Sequence, residues 1–441
     1  MMDVEKLKQK ILDLAIRGKL VPQDSNDEPA SVLIERIRTE KEELIKQGKI
    51  KRDKNESYIF KGDDNSYYEK VCGETICIDN ELPFEIPKNW MWARLGSIGN
   101  WGAGSTPLRS NLNYYNNGTI PWLKTGELND GIIRSTEEHI TELALKECSL
   151  RINPIGSVLI AMYGATIGKL AIAGIDLTTN QACCACQVSN AIVNQYLFFF
   201  LQAIKSLLIK KGAGGAQPNI SREIIVGTLI PIPPKEEQNR ILKKLSFTLD
   251  KIRQLDELNK DVKKLSSQLK YKILDLFFGE NSRYKSYYEN ELKLGDILEY
   301  EQPAKYIVNS TEYSNEYTTP VLTPGKTFIL GYTNEKDGIY KVNGKKVIIF
   351  DDFTTASRLI DFDFKVKSST MKILTVSNEN LYDTEYVYLL LQTIHVNNNT
   401  HKRYWISDFA TRNVKIHSIQ EQKKIVREIT KIYTIIEKVI G

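Results

Sequence analysis

Four short stretches concentrate the side chains that handle phosphates and base edges. They are "GAGSTPLRSNLNYY" (Gly102–Tyr115), "WLKTGEL" (Trp122–Leu128), "MYGATIGK" (Met162–Lys169) and "GAGGAQPNIS" (Gly212–Ser221). Hydroxyls and cations in them suit phosphate oxygens: Ser105, Thr106, Arg109, Lys124, Thr125, Thr166 and Lys169. The ring of Tyr163 and the amides of Gln217 and Asn219 stand beside these, and arginine as well as the amides can read base edges. Glycines between them let a backbone approach a phosphate closely. The chemistry on offer is binding of a nucleic acid. Ordinary surface loops carry a similar composition, so the loops alone do not decide between the two readings.

Catalytic patterns do not declare themselves. "TPGKT" (Thr323–Thr327) looks like the end of a phosphate-binding loop, but Pro320 stands where that loop needs its first glycine. "GATIGKL" (Gly164–Leu170) is one residue short and lacks the hydroxyl after its lysine. Cys183, Cys184 and Cys186 sit in one apolar run, where alternate side chains point to opposite faces and no fourth ligand follows at zinc spacing. Buried structural thiols are the expectation there. His139, His395, His401 and His417 are isolated, and no Asn-Pro-Pro-aromatic motif of an amino-methyltransferase is present. The expectation is a non-catalytic binding module without a metal or cofactor of its own.

The composition agrees. A net charge of +5 permits a nucleic-acid partner without demanding one. Six scattered cysteines fit a reducing compartment. No apolar run is long enough to span a bilayer, and the charged opening "MMDVEKLKQK" lacks the apolar core of a signal peptide. A cytoplasmic protein with no membrane contact is expected. With 441 residues, the chain should hold two or three domains.

The elements that must position the loops show themselves as repeats. "LKQKILDL" from Leu7 returns as "LKYKILDL" from Leu269, an offset of 262. "EEQNRILKKLSFTLDKI" from Glu236 is echoed by "QEQKKIVREITKIYTII" from Gln420, an offset of 184. Weaker echoes lie between them in the same order: "IPWLKTG" with "TPVLTPG", "SVLIA" with "KVIIF", "YLFFFLQAI" with "YVYLLLQTI". The chain therefore reads as a duplicated unit, a globular block followed by a helix. From Lys235 to Phe278 apolar residues recur every three or four positions, with Pro233 and Pro234 before the start and Gly279 after the end. Such a helix would be about 65 Å long and needs a partner for its seam. Its second copy is expected in two pieces. Gly441 maps to 441 − 184 = 257 and Met1 to 1 + 262 = 263, so only Leu258–Val262 lack a counterpart.

The expected domains are 1–23, a helix completing the second helical spacer; 24–83, a helical extension with Ser31 as N-cap, then a polar loop or short hairpin over Asp53–Lys70; 84–234, the first globular block; 235–280, the central helix; 281–418, the second block; and 419–441, the closing helix. Within the blocks "GSVLIAMYG", "KLAIAG", "ACCACQV", "KKVIIF" and "TMKILTV" read as strands, while Ile192–Lys211 and "YVYLLLQTI" read as helices.

The same loops carry a family resemblance. "GSTPLRSNLNYYNNGTIPWLKTGEL", "GSVLIAMYGATIGKLAI", "TTNQACC" and "QPNISREIIVGTLIPIPPKEEQNRI" resemble the DNA-specificity subunit of type I restriction–modification systems, as do "KILDLAIRGKLVPQ" and "EKEELIKQGKIK" near the start. The second block matches more loosely: "DDFTTASR" (Asp351–Arg358) replaces "MYGATIGK", and "RYWIS" (Arg403–Ser407) replaces "QPNIS". Its contact residues by position would be Lys326, Thr355, Ser357, Arg358, Arg403 and Tyr404.

The resemblance implies an α+β fold: two mixed α/β target-recognition domains separated by a pair of long antiparallel coiled-coil helices, in a circular pseudo-two-fold repeat. Each domain would read one half of a bipartite site in double-stranded DNA. The helices would act as spacer and as docking surface for two methylation (M) subunits, with restriction (R) subunits joining to make the nuclease. S-adenosylmethionine, ATP and Mg would belong to those partners and none to this chain. A methylation-only or phage-defence system would use a similar subunit. Two further readings stay open: a coiled-coil adaptor, which predicts no salt-dependent DNA binding, and an enzyme with an unrecognised site, which predicts activity without partners.

Overall fold

The apolar residues that recur from Lys235 onwards form a single helix, Lys235–Phe278, of 44 residues. A computed structural model of the chain describes residues 3–48, 57–213, 218–324, 327–394 and 403–440. The chain divides within this central helix into two units, Met2–Asp256 and Glu257–Gly441, and each has cores of its own. Among the described residues no helix is both long and apolar enough to cross a membrane.

The main sheet of the first unit has the strand order Gly99–Ala103, Cys183–Val188, Val158–Ala161, Leu170–Ala173, Gly131–Ile133. All neighbours are antiparallel except the last pair. Sequence alternation explains why Val158–Ala161 is buried throughout. Val158 and Ile160 face a core shared with the helices, while Leu159 and Ala161 face a second core on the other side. A sheet covered on both faces reads as a continuous apolar run rather than an alternating one. The three thiols split the same way: Cys184 and Cys186 lie in the first core, Cys183 in the second. Burial pushes the Cys184 thiol up to about 11.

The second unit repeats this plan. Its main sheet runs Leu298–Glu301, Met371–Val376, Val347–Asp351, Ser357–Ile360, all antiparallel. Each unit adds a three-stranded sheet whose middle strand, Ile120–Leu123 or Thr319–Leu322, has one parallel and one antiparallel neighbour. Each also pairs a strand from the start of its block with one leading into a helix: Met91–Arg94 with Leu229–Ile232, and Tyr288–Lys293 with Asn413–His417. Only Gly131–Ile133 has no counterpart in the second main sheet among the described residues.

Both units close around the first turn of a helix in one way. Gln238, in the central helix, and Gln422, in the closing helix Ile419–Ile440, are fully buried. Gln238 Oε1 accepts from Val193 N–H at 2.8 Å, and its Nε2 donates to the Pro233 carbonyl at 3.1 Å. Gln422 Oε1 accepts from Asp383 N–H at 2.8 Å, and its Nε2 donates to the carbonyls of His417 and Leu381 at 2.8 and 2.9 Å. Each glutamine thereby pins the start of an apolar helix, Asn194–Ala203 or Thr384–Leu391, to the first turn of a long one.

Those two apolar helices receive the repeated octapeptide. In the opening helix Val4–Ile16, Leu12, Ala15 and Ile16 are buried in the core that holds Tyr196 and Leu197. Their counterparts at offset 262, Leu274, Phe277 and Phe278, lie in or against the core that holds Tyr386 and Val387, with the rings of Phe278 and Tyr386 5.3 Å apart. Within the second unit the closing helix runs antiparallel to the end of the central one: Tyr284 Oη donates to Glu428 at 3.0 Å, and Lys270 pairs with Glu437 at 2.8 Å.

Two expectations need correction and one is extended. Ile192–Lys211 is two helices, Asn194–Ala203 and Lys205–Lys211, broken at Ile204; the bend keeps Leu208 in the same core as Phe200. The polar segment of the extension holds a hairpin, Ser57–Lys61 with Tyr67–Val71, and Glu74–Cys77 extends it into a three-stranded antiparallel sheet. It is fastened to the first block by Arg94, which pairs with Glu69 at 2.6 Å and Glu81 at 2.8 Å. The preceding helix, Ala30–Lys46, begins after Pro29, which takes the N-cap position without a side-chain bond, so Ser31 lies inside the first turn.

Replacing Gln238 or Gln422 by leucine leaves an interior N–H and carbonyls without partners, at a cost of ~1–3 kcal/mol each. Denaturant titration should show losses of similar size from the two substitutions. A loss at one glutamine alone would refute their equivalence.

Candidate nucleic-acid interface

Two of the loops singled out by their chemistry leave one end of the first unit's main sheet. Ala103 and Ala161 close their strands opposite Cys184 and Cys183, which open theirs, and Leu170 opens its strand opposite Ile160. The loops after Ala103 and Ala161 and the segment 179–182 before Cys183 therefore meet at that edge. Gly104 shows how closely they meet: a Cβ there would lie 1.9 Å from the Thr179 carbonyl oxygen, so the backbone contact admits only glycine. Ser105 N–H donates to that carbonyl at 3.0 Å, and the Ser105 carbonyl accepts from Trp122 Nε1 at 3.1 Å. Thr106 Oγ1 bonds Gln181 Oε1.

On the other side of segment 179–182, the loop Met162–Lys169 is held open by its own turns. Gly164 and Gly168 have φ of +80° and +73°, which suit glycine. Lys169 N–H donates to Thr166 O at 2.9 Å, and Gly168 N–H to Ala161 O at 2.8 Å. Met162 is strapped on both sides, its N–H donating to Ala182 O and its carbonyl accepting from Ile220 N–H, each at 2.8 Å. Tyr163 pairs with Asn219 in a β-bridge. Tyr163, Thr166, Lys169 and Asn219 are thus brought together. Gln217 lies outside the described residues. Lys169 has no carboxylate partner among them.

Arg109 and Lys124 are gathered elsewhere on the edge, around an acid. Glu138 takes two guanidinium donors of Arg109, and Lys124 pairs with Glu138 at 2.9 Å and Glu137 at 3.2 Å. The Arg109 guanidinium also lies 4.8 Å from the ring centres of both Tyr115 and Trp122, which meet edge to face. Its hydrogen bonds to Glu138 raise its pKa, and the same pairing holds the Glu138 carboxyl below its ordinary range. Lys124 is raised by Glu138 and Glu137. Thr125 begins the turn after Lys124 and is half-buried.

The second unit keeps the straps and changes the loop. Asp352 N–H donates to Thr370 O at 3.0 Å, and its carbonyl accepts from Tyr404 N–H at 2.9 Å, as Met162 does with Ala182 and Ile220. Tyr404 therefore stands where Ile220 stands, an offset of 184. The motif alignment that set Ile406-Ser407 against Ile220-Ser221 is two residues out. It follows that Tyr404 is a core residue with no exposed surface and no surface contact to offer, as Ile220 is in its own unit. Arg403, the counterpart of Asn219, is exposed. In place of the glycine loop, Asp351 accepts from Thr354 N–H at 3.1 Å, and Thr355 takes φ +60°. Asp352 Oδ1 accepts from Trp405 N–H at 2.8 Å, and its Oδ2 lies 3.4 Å from the buried Lys372 ammonium. Arg358 is exposed, with its guanidinium 5.7 Å from the Phe328 ring centre. Ser357 accepts from Gln392 Nε2 at 2.5 Å. Lys326 lies outside the described residues.

Reading the sequence for cations and amides passed over Glu138 and Gln181. Gln181 belongs to "TTNQACC", already marked as a motif. Glu138 gave no signal, because its role depends on strand pairing: Trp122 faces it across the antiparallel register.

Comparison with known proteins falls on this same region. Residues 87–264 match the type I restriction modification DNA specificity domain. Over 149 residues the chain is 47% identical to the specificity subunit of the type I restriction enzyme EcoR124I/EcoR124II of Escherichia coli, covering 33% of this chain and 37% of that one. Over 281 residues it is 30% identical to the EcoAI specificity subunit of Escherichia coli, covering 62% of this chain and 44% of that one. The chain thus spans less than half the length of these two relatives. It shares its fold with a chain from a structure of the type I R-M system, at a TM-score of 0.56 and 16% identity, covering 81% of this chain and 93% of that one. The main sheet, its loop edge and the first turns of the central helix all lie within the matched residues 87–264.

Proposed function

We propose that the chain is a sequence-specific DNA-binding subunit that recognises a bipartite target and docks the methylation and restriction subunits of a type I restriction–modification complex. One observation carries the proposal: the sheet plan of the first unit's block, less the strand Gly131–Ile133, recurs in the second unit. Each unit then reads one half-site with the loops at its sheet edge. S-adenosylmethionine, ATP and Mg act in the partners, while this chain positions the duplex.

The helices set the spacing. The central helix, about 66 Å at 1.5 Å per residue, is one limb of an antiparallel pair. The second limb is made by the closing helix and the opening helix, which complete a circular pseudo-two-fold repeat. Matched burial of Leu12 and Leu274 on equivalent helices supports this, as does the antiparallel contact of Lys270 with Glu437. The outermost residues Met1 and Gly441 lie outside the described residues. Leu258, Val262, Leu265, Leu269 and Leu276 form an exposed seam at coiled-coil spacing, which supports the docking of methylation subunits there.

The test is to map methylated sites in a host with and without this chain, and to measure DNA binding by the assembled complex. An absence of salt-dependent DNA binding would sink the proposal. Lys169→Ala should weaken binding to every sequence and reduce the slope of log K against log salt by about one. Asn219→Ala should relax one half-site only, at ~1–3 kcal/mol.

Adding whole turns to both limbs should lengthen the unspecified spacer while leaving both half-sites as they were. Recovery of an altered half-site with unchanged spacing would show that the helices do not set the distance.

A further inference from the structure

Arg109 differs from the other cations of the first loop edge in being held on several sides. Glu138 takes one donor from each terminal nitrogen, with Nη2 to Oε1 at 3.3 Å. The Tyr115 and Trp122 rings form the corner against which the guanidinium lies, each centre 4.8 Å away. Glu138 is itself fixed by Lys124 at 2.9 Å and by its strand, where it pairs with Trp122. The Arg109 side chain is nonetheless 51% exposed. Its Nε–H and the second Nη2–H, the two parallel donors on the other edge of the fork, have no protein acceptor among the described residues.

This is a poor arrangement for attracting phosphates. The Glu138 charge cancels that of Arg109, and long-range attraction falls with it. It is a good arrangement for reading a base. A two-donor edge held at fixed orientation matches the O6 and N7 acceptors of guanine in the major groove. Holding it before binding also lowers the entropy lost on contact.

Resting on the proposed role as a DNA-specificity subunit, we propose that Arg109 is a specificity-determining residue that reads a guanine in the half-site of the first unit, with Glu138 as its positioning residue. Arg109→Lys is the decisive variant, because it keeps the charge and removes the fork. The full chain, assembled with its methylation subunits, is used to select from a randomised DNA library and to bind a fixed site across a salt series. Arg109→Lys should lower the preference for guanine at one position of one half-site by about five- to a hundred-fold, with the salt slope unchanged. Glu138→Gln should blunt discrimination at that same position and raise affinity for unrelated DNA, since it uncovers a positive charge. A merely structural role for Glu138 would not raise non-specific affinity.

Retention of the full motif by Arg109→Lys would overturn the assignment. So would a sequence-independent loss in Arg109→Ala that lowers the salt slope by about one, the mark of a phosphate contact. Absence of any sequence preference in the unsubstituted complex would instead overturn the specificity-subunit reading itself. Sequence preference in the unsubstituted complex that survives in Arg109→Lys removes only the guanine contact.

Discussion

A helix of 44 residues cannot bury its own apolar stripe, and most of the architecture follows from covering it at both ends. Near the start, Ile241, Leu242 and Leu245 are buried in the core of the first unit. Near the end, Ile273, Leu274 and Phe277 are buried in that of the second. Burying one such side chain contributes ~1.5–3 kcal/mol, so three of them hold a helix end firmly against fraying. Each end meets a short, almost wholly apolar helix, Asn194–Ala203 or Thr384–Leu391, and a separate helical segment meets the same core from elsewhere in the chain. The buried glutamines fix the angle at which these parts join, because a side-chain amide bonded on both sides tolerates little rotation. A loop edge carried by such a sheet inherits that rigidity, as the proposed reading of DNA would require.

The sequence shows these helices clearly because their burial is one-sided. A stripe facing one core and a polar back leave a period that survives in a single sequence, and the bounds Lys235 and Phe278 follow from the flanking prolines and glycine. Strands were legible for the opposite reason: Val158–Ala161 and Val347–Asp351 are buried on both faces and read as unbroken apolar runs. The extension was legible only as a loop or short hairpin. Its strands mix polar and aromatic residues, the third is exposed throughout, and Glu69 looks like loop composition until its ion pair with Arg94 is known. The two-residue error at Tyr404 has a similar origin. Ile-Ser recurs in both motifs, but the strap from residue 352 to residue 404 is set by backbone bonding, which identity at two positions does not report.

The two loop edges are shaped by different chemistry. The first shapes its loop with glycines at positive φ and leaves backbone near the surface. The second is three residues shorter, Asp351 N–H bonding Ala356 O where Ala161 N–H bonds Lys169 O, and is shaped by carboxylates, with Asp351 closing the turn and Asp352 holding the start of the helix Tyr404–Ser407. Buried carboxylates carry a large desolvation cost unless bonded and paired, which accounts for Lys372 beneath them. A glycine loop can adapt to what it meets, whereas a turn fixed by buried charge presents one shape. Sequence resemblance fades in the second unit at the place where this exchange occurs, although the four shared strands beneath it keep their order.

Charge at the first edge is arranged to limit indiscriminate attraction. Arg109 and Lys124 are neutralised by Glu138 and Glu137, while Lys169 stands without a carboxylate partner among the described residues. The net charge of +5 over 441 residues is correspondingly modest. A surface that drew its affinity from many free cations would hold every sequence nearly alike, since phosphates are the same everywhere. Discrimination is a difference between affinities, and it grows when the shared term is small and the geometric term large. Pairing most of the cations with acids lowers the first and, by fixing their orientation, raises the second. On the proposed function the acids of the edge would take part in reading a sequence, although they repel phosphates.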